Sequence, residues 1–197
     1  MSTEIIMGMA LAGTAGLNAF VPLLALAFAH RLSDRVHIGA HYTWLSSSVG
    51  LVVTLLLLPI ELFVDKAPGW DTVNDRAARF YRPIAGALIM LATTADSNLH
   101  PILAAIIGAA IALGMHTLKT RYRHPLTQVF AGIPTPIASA VEDFCAALVC
   151  FLALLWPIVG FVALIVVAAV TWRLGSVVRR RVARANLDTS SVTAAQT

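Results

Sequence analysis

From Pro136 to Trp172 the sequence is nearly unbroken apolar residue, thirty-seven positions interrupted early by Glu142 and Asp143. One helical crossing of a bilayer needs about twenty residues. A run of this length therefore folds as two crossings, and Trp156-Pro157 is where it turns. Two crossings also draw Glu142 and Asp143 inward. At 1.5 Å per residue Glu142 lies about 9 Å along from Pro136, a depth at which carboxylates face a polar interior or pair with a cation.

The rest of the chain agrees with a membrane solvent. Of 197 residues 58% are hydrophobic and 12% charged, with mean hydropathy +0.81, more apolar surface than a soluble core of this size can hide. The net charge of +4 is gathered into particular loops, which points to membrane orientation and anionic lipid rather than to nucleic acid. No Lys or Arg precedes the first apolar run, so that run is expected to be retained rather than cleaved as a signal.

Six crossings are expected, near residues 5–29, 45–64, 83–95, 101–118, 136–155 and 158–174, in one all-α membrane domain followed by a disordered tail, 186–197. In the first, Gly8, Ala12 and Gly16 form a small-residue stripe for close helix packing. Gly13, Gly16, Asn18 and Pro22 weaken its middle, giving either a broken helix that offers backbone groups to a ligand or a kinked packing helix. Ala104, Gly108 and Ala112 repeat the small-residue spacing in the fourth. Such stripes would permit a homo-oligomer, and they serve packing within one chain equally well.

Most of the membrane-adjacent charge lies between Glu61 and Arg82. Glu61 and Asp65 share one side of a helix end and call for a cation, with Lys66, Arg76 and Arg79 as candidates. Pro68-Gly69 breaks that helix, Thr72 can cap the next, and Asp75 is placed to pair with Arg79. The polar turns 72–81 are expected along the membrane surface. The short apolar run from Pro83 spans only if those turns extend it inside the bundle. Asp71, Asp75 and Arg82 near the headgroups have the chemistry for a metal and a phosphate, but the Asp75–Arg79 pairing is simpler.

His37 and His41 share a helical face without a third ligand nearby, and Cys145 and Cys150 would point about 140° apart on one helix, so neither pair makes a metal site or a disulfide. No cofactor is expected. The nucleophile elbow, zinc-protease and phosphate-loop motifs are not found, so an enzyme is not expected either. Twelve Lys and Arg fall on one side of the six-span topology and two on the other, which puts both termini in the cytoplasm. A faint internal echo links Pro68-x4-Val73-Asn74-Asp75 to Pro136-x4-Val141-Glu142-Asp143.

Gly16-Leu-Asn18, the Asp65-Lys66-Ala-Pro68-Gly-Trp-Asp71 run with Asp75 behind it, Arg82-Pro83 and Ser139-Ala-Val-Glu142-Asp143 resemble a family of bacterial membrane proteins called domain of unknown function 4126. The resemblance runs from about Gly13 to about Trp156. It implies a compact multi-span domain of a bacterial inner membrane and singles out the same charged positions, without implying a substrate. Two functions fit. One is a small transporter or channel using Asn18, Glu142 and Asp143 within the bundle and the paired charges of 61–82 as a gate. The other is a helical scaffold in an envelope complex, whose charges are structural pairs. In either, membrane lipid is the constant partner.

Overall fold

A computed structural model describes the backbone of residues 2–66, 71–129 and 135–194, and every element in it is helical. In chain order these are α1 (Ser2–Ala15), α2 (Phe20–Leu32), a 3-10 turn (Ala40–Ser46), α3 (Ser48–Lys66), α4 (Asp71–Thr94), α5 (Pro101–Val129), α6 (Thr135–Leu155) and α7 (Pro157–Ala194). Two of the described helices are long and apolar enough to cross a membrane, Pro101–Arg121 and Pro157–Val177. A third joins them if the 3-10 turn and α3, bent by 56° between them, count as one. The six crossings read from the sequence reduce to that on length and composition alone. The helical backbone of α7 also carries on past Asn186, where the sequence suggests loss of order.

The first apolar run is not one kinked helix. It is two short ones, and their neighbours show that they run in opposite directions. Gly8 of α1 lies against Met90 and Thr93 near the end of α4, and Ile5, Met9, Leu91 and Leu99 cover one cluster there, whereas Gly16 lies against Ala112 and Met115, halfway down α5. From there α2 climbs back, since the Gly39 N–H beyond it bonds the Ala92 carbonyl at 3.0 Å and Gly39 sits on Ala95. At 14 and 13 residues, α1 and α2 are each about 20 Å long, about half a bilayer with its headgroups. The result is a hairpin of half-length helices with its apex at residues 16–19, level with the middles of α4 and α5.

Because α1 starts at the α4–α5 turn and the arginine-bearing part of α7 lies beside Arg121, the first helix and that part of α7 occupy opposite ends of the bundle. The expectation of both termini on one side rested on a first run that forms one span, and α1 and α2 are each shorter than a span.

Small residues set the spacing around α1. The Gly8 face meets Met90 and Thr93 of α4, and the Gly16 face meets α5; Gly86 of α4 and Gly108 of α5 cross so closely that each occupies the place of the other's missing side chain. Ala12, Ala104 and Ala112 are fully buried in the same seams. Both small-residue stripes are thus consumed within the chain. The outward faces are apolar: Val52, Leu56 and Phe63 on α3, Ile137, Val141, Phe144 and Phe151 on α6, Ile158, Val162 and Ile165 on α7. Arg82, Lys119, His116, Asn18 and Glu61 are buried, an arrangement opposite to that of a water-soluble bundle.

The polar turns 72–81 do not make a separate surface helix. They are the first part of α4, a 24-residue helix that runs unbroken through Pro83 to Thr94. Pro68 to Trp70, between α3 and α4, lie outside the described residues, as do the side chains of Asp65, Lys66, Asp71 and Thr72.

Candidate functional site

A helix that stops inside a bundle leaves carbonyls unpaired at its end, and one that starts there leaves N–H groups unpaired. Away from water each such group costs several kcal/mol. At the 16–19 apex both kinds meet. The α1 end carries the negative pole of its dipole and the α2 start the positive one. Side chains from three other helices answer each with the opposite charge.

On the carbonyl side, Arg82 Nη1 donates to Gly16 O at 3.1 Å and Lys119 Nζ donates to Leu17 O at 3.0 Å. On the amide side, Glu61 Oε2 accepts from Ala19 N at 3.0 Å and Phe20 N at 3.4 Å, with Oε1 at 3.3 Å from Ala19 N. Asn18 Oδ1 accepts from Phe20 N and Val21 N at 3.2 and 3.1 Å, the capping role that asparagine favours at helix starts. Pro22 then falls in the first turn of α2, where the N–H it lacks would have no helical partner.

The staples are themselves joined. Arg82 faces Glu61 through Nη2 at 2.9 Å and Nε at 3.2 Å, both to Oε1, with both side chains almost wholly out of solvent. The Tyr81 hydroxyl donates to the same oxygen at 3.1 Å, and its ring stacks on Phe20. Arg82 Nη1 also meets His116 Nδ1 at 3.1 Å. A guanidinium cannot accept, so Nδ1 must, and His116 therefore carries its proton on Nε2 and donates it to the Asp75 carbonyl at 3.2 Å. Lys119 pairs with Glu142 Oε2 at 3.0 Å, and Asn18 Nδ2 donates to Asp143 Oδ1 at 3.1 Å. Glu142 keeps 25% of its side chain exposed while Lys119 is buried, so the cluster reaches accessible surface along the Glu142 side chain, with the paired Oε2 itself buried.

Of the residues singled out by the sequence, Asn18, Glu61, Arg82, Glu142 and Asp143 come together here. Asp75 contributes its backbone carbonyl to His116, and Arg79 is exposed. Among the described residues the partner of Glu61 is Arg82, which the sequence reading did not name; the side chain of Lys66 lies outside them. His116 and Lys119 are the residues that sequence reasoning missed as site members. They are three apart and so share a face of α5, a signal hidden because Lys119 reads as the start of a basic loop. Behind the apex, Thr14 Oγ1 gives its hydrogen to Leu11 O at 2.8 Å and so accepts from the Cys150 thiol at 3.1 Å, a packing role for that cysteine. Among the described residues no group of three or more His, Cys, Asp or Glu is placed to hold a metal ion.

Chemically, this is a mid-depth break in which backbone dipoles, two cations and three carboxylates sit within one chain of hydrogen bonds. Comparison with curated proteins and with solved structures gives no match. The family described as Domain of unknown function (DUF4126) matches over residues 5–176, a span that takes in every member of the cluster, and the chain belongs to that family.

Proposed function

We propose that this chain is a membrane-embedded transport protein in which the α1–α2 hairpin enters the bilayer only halfway and α3 to α7 cross it. On this reading the basic end, with Arg76, Arg79, Arg121, Arg173 and Arg180 exposed, faces the cytoplasm of a bacterial inner membrane, and the amino terminus faces outward. That makes five full crossings in place of six. α4 and α6, at about 36 and 31 Å, are long enough for the task.

The observation that supports transport is the position of the break. A bilayer helix is cheapest when continuous, because every backbone group is then satisfied internally. Here two half-helices deliver the Gly16 and Leu17 carbonyls and the Ala19 to Val21 amides to mid-depth, where titratable side chains hold them. Lys119 is the pivotal group. Its ammonium sits on the Leu17 carbonyl, a place that a small cation would also favour, and it is held against Glu142, whose side chain is partly exposed. Protonation of Glu142 would weaken the hold on Lys119 and free Leu17 O, which is the step that would couple a proton to a solute.

The test is flux in proteoliposomes under a proton gradient, following pH and a panel of monovalent cations. Wild-type protein should move protons or a cation, Glu142→Gln should abolish this without loss of the monodisperse fold, and Asp143→Asn should reduce it. Equal flux in Glu142→Gln and wild type would sink the mechanism.

The scaffold reading has one observation in its favour, that the apex groups described above already have partners within the chain. It predicts a stoichiometric partner on the exposed α3 face of Val52, Leu56 and Phe63 rather than at Gly108, which packs on Gly86. Flux-inactive protein that co-purifies with a partner lost in Leu56→Ser would favour it.

A further inference from the structure

Away from the apex, at the basic end of the bundle, two grooves of about 410 and 420 Å³ lie between α5 and α7. They share two walls, Leu118 and Trp172. One groove is polar, with Thr117, Arg121, Ser176 and Arg180. The other is lined by Ile165, Ala168 and Ala169, with Arg173 at its rim. From Ile165 to Arg180 along α7 is about 22 Å, which is half of a bilayer that measures about 40–45 Å with its headgroups. The pair thus has the length and the polarity profile of one leaflet, with Trp172 at the divide where amphipathic rings settle.

Gly114, in the wall of the polar groove, gives an independent reason to expect an occupant. The other glycines whose surroundings are described sit where a Cβ would strike a neighbouring helix or backbone, so packing explains them. Among the described residues a Cβ at Gly114 would meet nothing within 4 Å. Glycine weakens a helix relative to alanine, so its presence here without a packing reason leaves the space itself to be accounted for.

We propose that this composite groove binds one anionic phospholipid, its phosphate between Arg121 and Arg180 and one acyl chain against Ile165, Ala168 and Ala169. Arginine suits the phosphate because its planar fork donates two bonds at once, and the Thr117 and Ser176 hydroxyls add donors beside it. Anionic lipid is also what a basic membrane face attracts from the cytoplasmic leaflet. This inference does not rest on the transport reading.

The experiment is a titration of the full-length, delipidated protein in mild detergent with short-chain phosphatidylglycerol, phosphatidylcholine or inorganic phosphate, read by native mass spectrometry. One phosphatidylglycerol should bind per chain, in preference to phosphatidylcholine. Arg121→Gln and Arg180→Gln should each weaken it about fivefold. Gly114→Leu should weaken it at least as much while melting no lower than wild type, because the new side chain enters open space. Equal binding of phosphatidylcholine, or phosphatidylglycerol binding unchanged in all three variants, overturns the site. Complete displacement by millimolar phosphate overturns the lipid as occupant and leaves the polar groove as a site for the free anion.

Discussion

The substitution Arg82→Met keeps the length and apolar stem of the side chain and deletes only the guanidinium, so it isolates what that charge holds. Four contacts disappear with it: two to Glu61 Oε1, one to Gly16 O and one to His116 Nδ1. Breaking a buried ion pair by removing one partner costs about 3–5 kcal/mol, and leaving a buried carbonyl unpaired adds about 1–3 kcal/mol. The Glu61 charge is partly compensated by the Ala19 and Phe20 amides and the Tyr81 hydroxyl, which places the expected loss near about 4 kcal/mol. A second substitution separates charge from shape. Glu61→Gln retains an acceptor for the two amides but carries no charge, so Arg82→Met/Glu61→Gln should recover about 1–2 kcal/mol relative to Arg82→Met alone. Unfolding by titration with sodium dodecyl sulfate in mixed micelles, followed by tryptophan fluorescence, measures all three proteins against wild type. A loss below about 1 kcal/mol for Arg82→Met, the range of exposed pairs, would refute a buried staple. A double variant no better than the single would show that the lost bond to Gly16, not the stranded carboxylate, dominates.

Three further outcomes follow from the same geometry. Lys119→Met strands both Leu17 O and Glu142 and should cost about 3 kcal/mol in that unfolding assay, whereas Glu142→Gln, whose carboxylate is partly exposed, should cost no more than about 1 kcal/mol; the reverse order would mean that Lys119 is not a staple. Gly114→Ala should raise stability by about 0.5–1 kcal/mol, while Gly16→Ala, which drives a methyl against Met115 and the Ala112 carbonyl, should lower it and broaden the unfolding transition. In a background with Cys145 and Cys150 replaced by Ala, an impermeant maleimide should label Glu4→Cys and Ser176→Cys from opposite faces of a sealed vesicle; labelling from one face would eliminate the half-membrane hairpin.

The apolar faces and small-residue seams were legible in the sequence because they are local. Ala104, Gly108 and Ala112 repeat every four residues, and that spacing puts them on one side of α5 whatever surrounds it. The weakness at Gly13 to Asn18 was legible as well. What hydropathy cannot supply is the direction of the chain after a weak point, since twenty-five apolar residues read the same whether they continue or fold back. Direction is decided by remote contacts: Gly8 beside Thr93 on the first arm and Gly39 beside Ala95 beyond the second. The partner of Glu61 was missed for a similar reason. Reading 72–81 as a surface helix made Arg82 a boundary residue, whereas one continuous α4 places it about 17 Å from either end, at the depth of Glu61.

That continuity also explains why the resemblance residues sit so far apart in sequence. Gly16 and Asn18 make the break, Arg82 and Glu61 neutralise its two poles, and Asp143 holds Asn18 from α6. Each would be unfavourable alone at this depth: the break without counter-groups strands backbone, and the charges without the break strand themselves. Removing one staple therefore cannot be neutral unless the break closes with it. The corresponding experiment inserts a helix-favouring residue, Asn18→Leu, into Arg82→Met/Glu61→Gln. If the cluster exists only to stabilise a packing kink, straightening α1 in that charge-free background should restore a folded protein. If the hairpin is fixed by its outer contacts at Thr93 and Ala95, the same change should leave residues 16–19 unpaired and the protein less stable than the charge-free variant, and the geometry described here requires the second result.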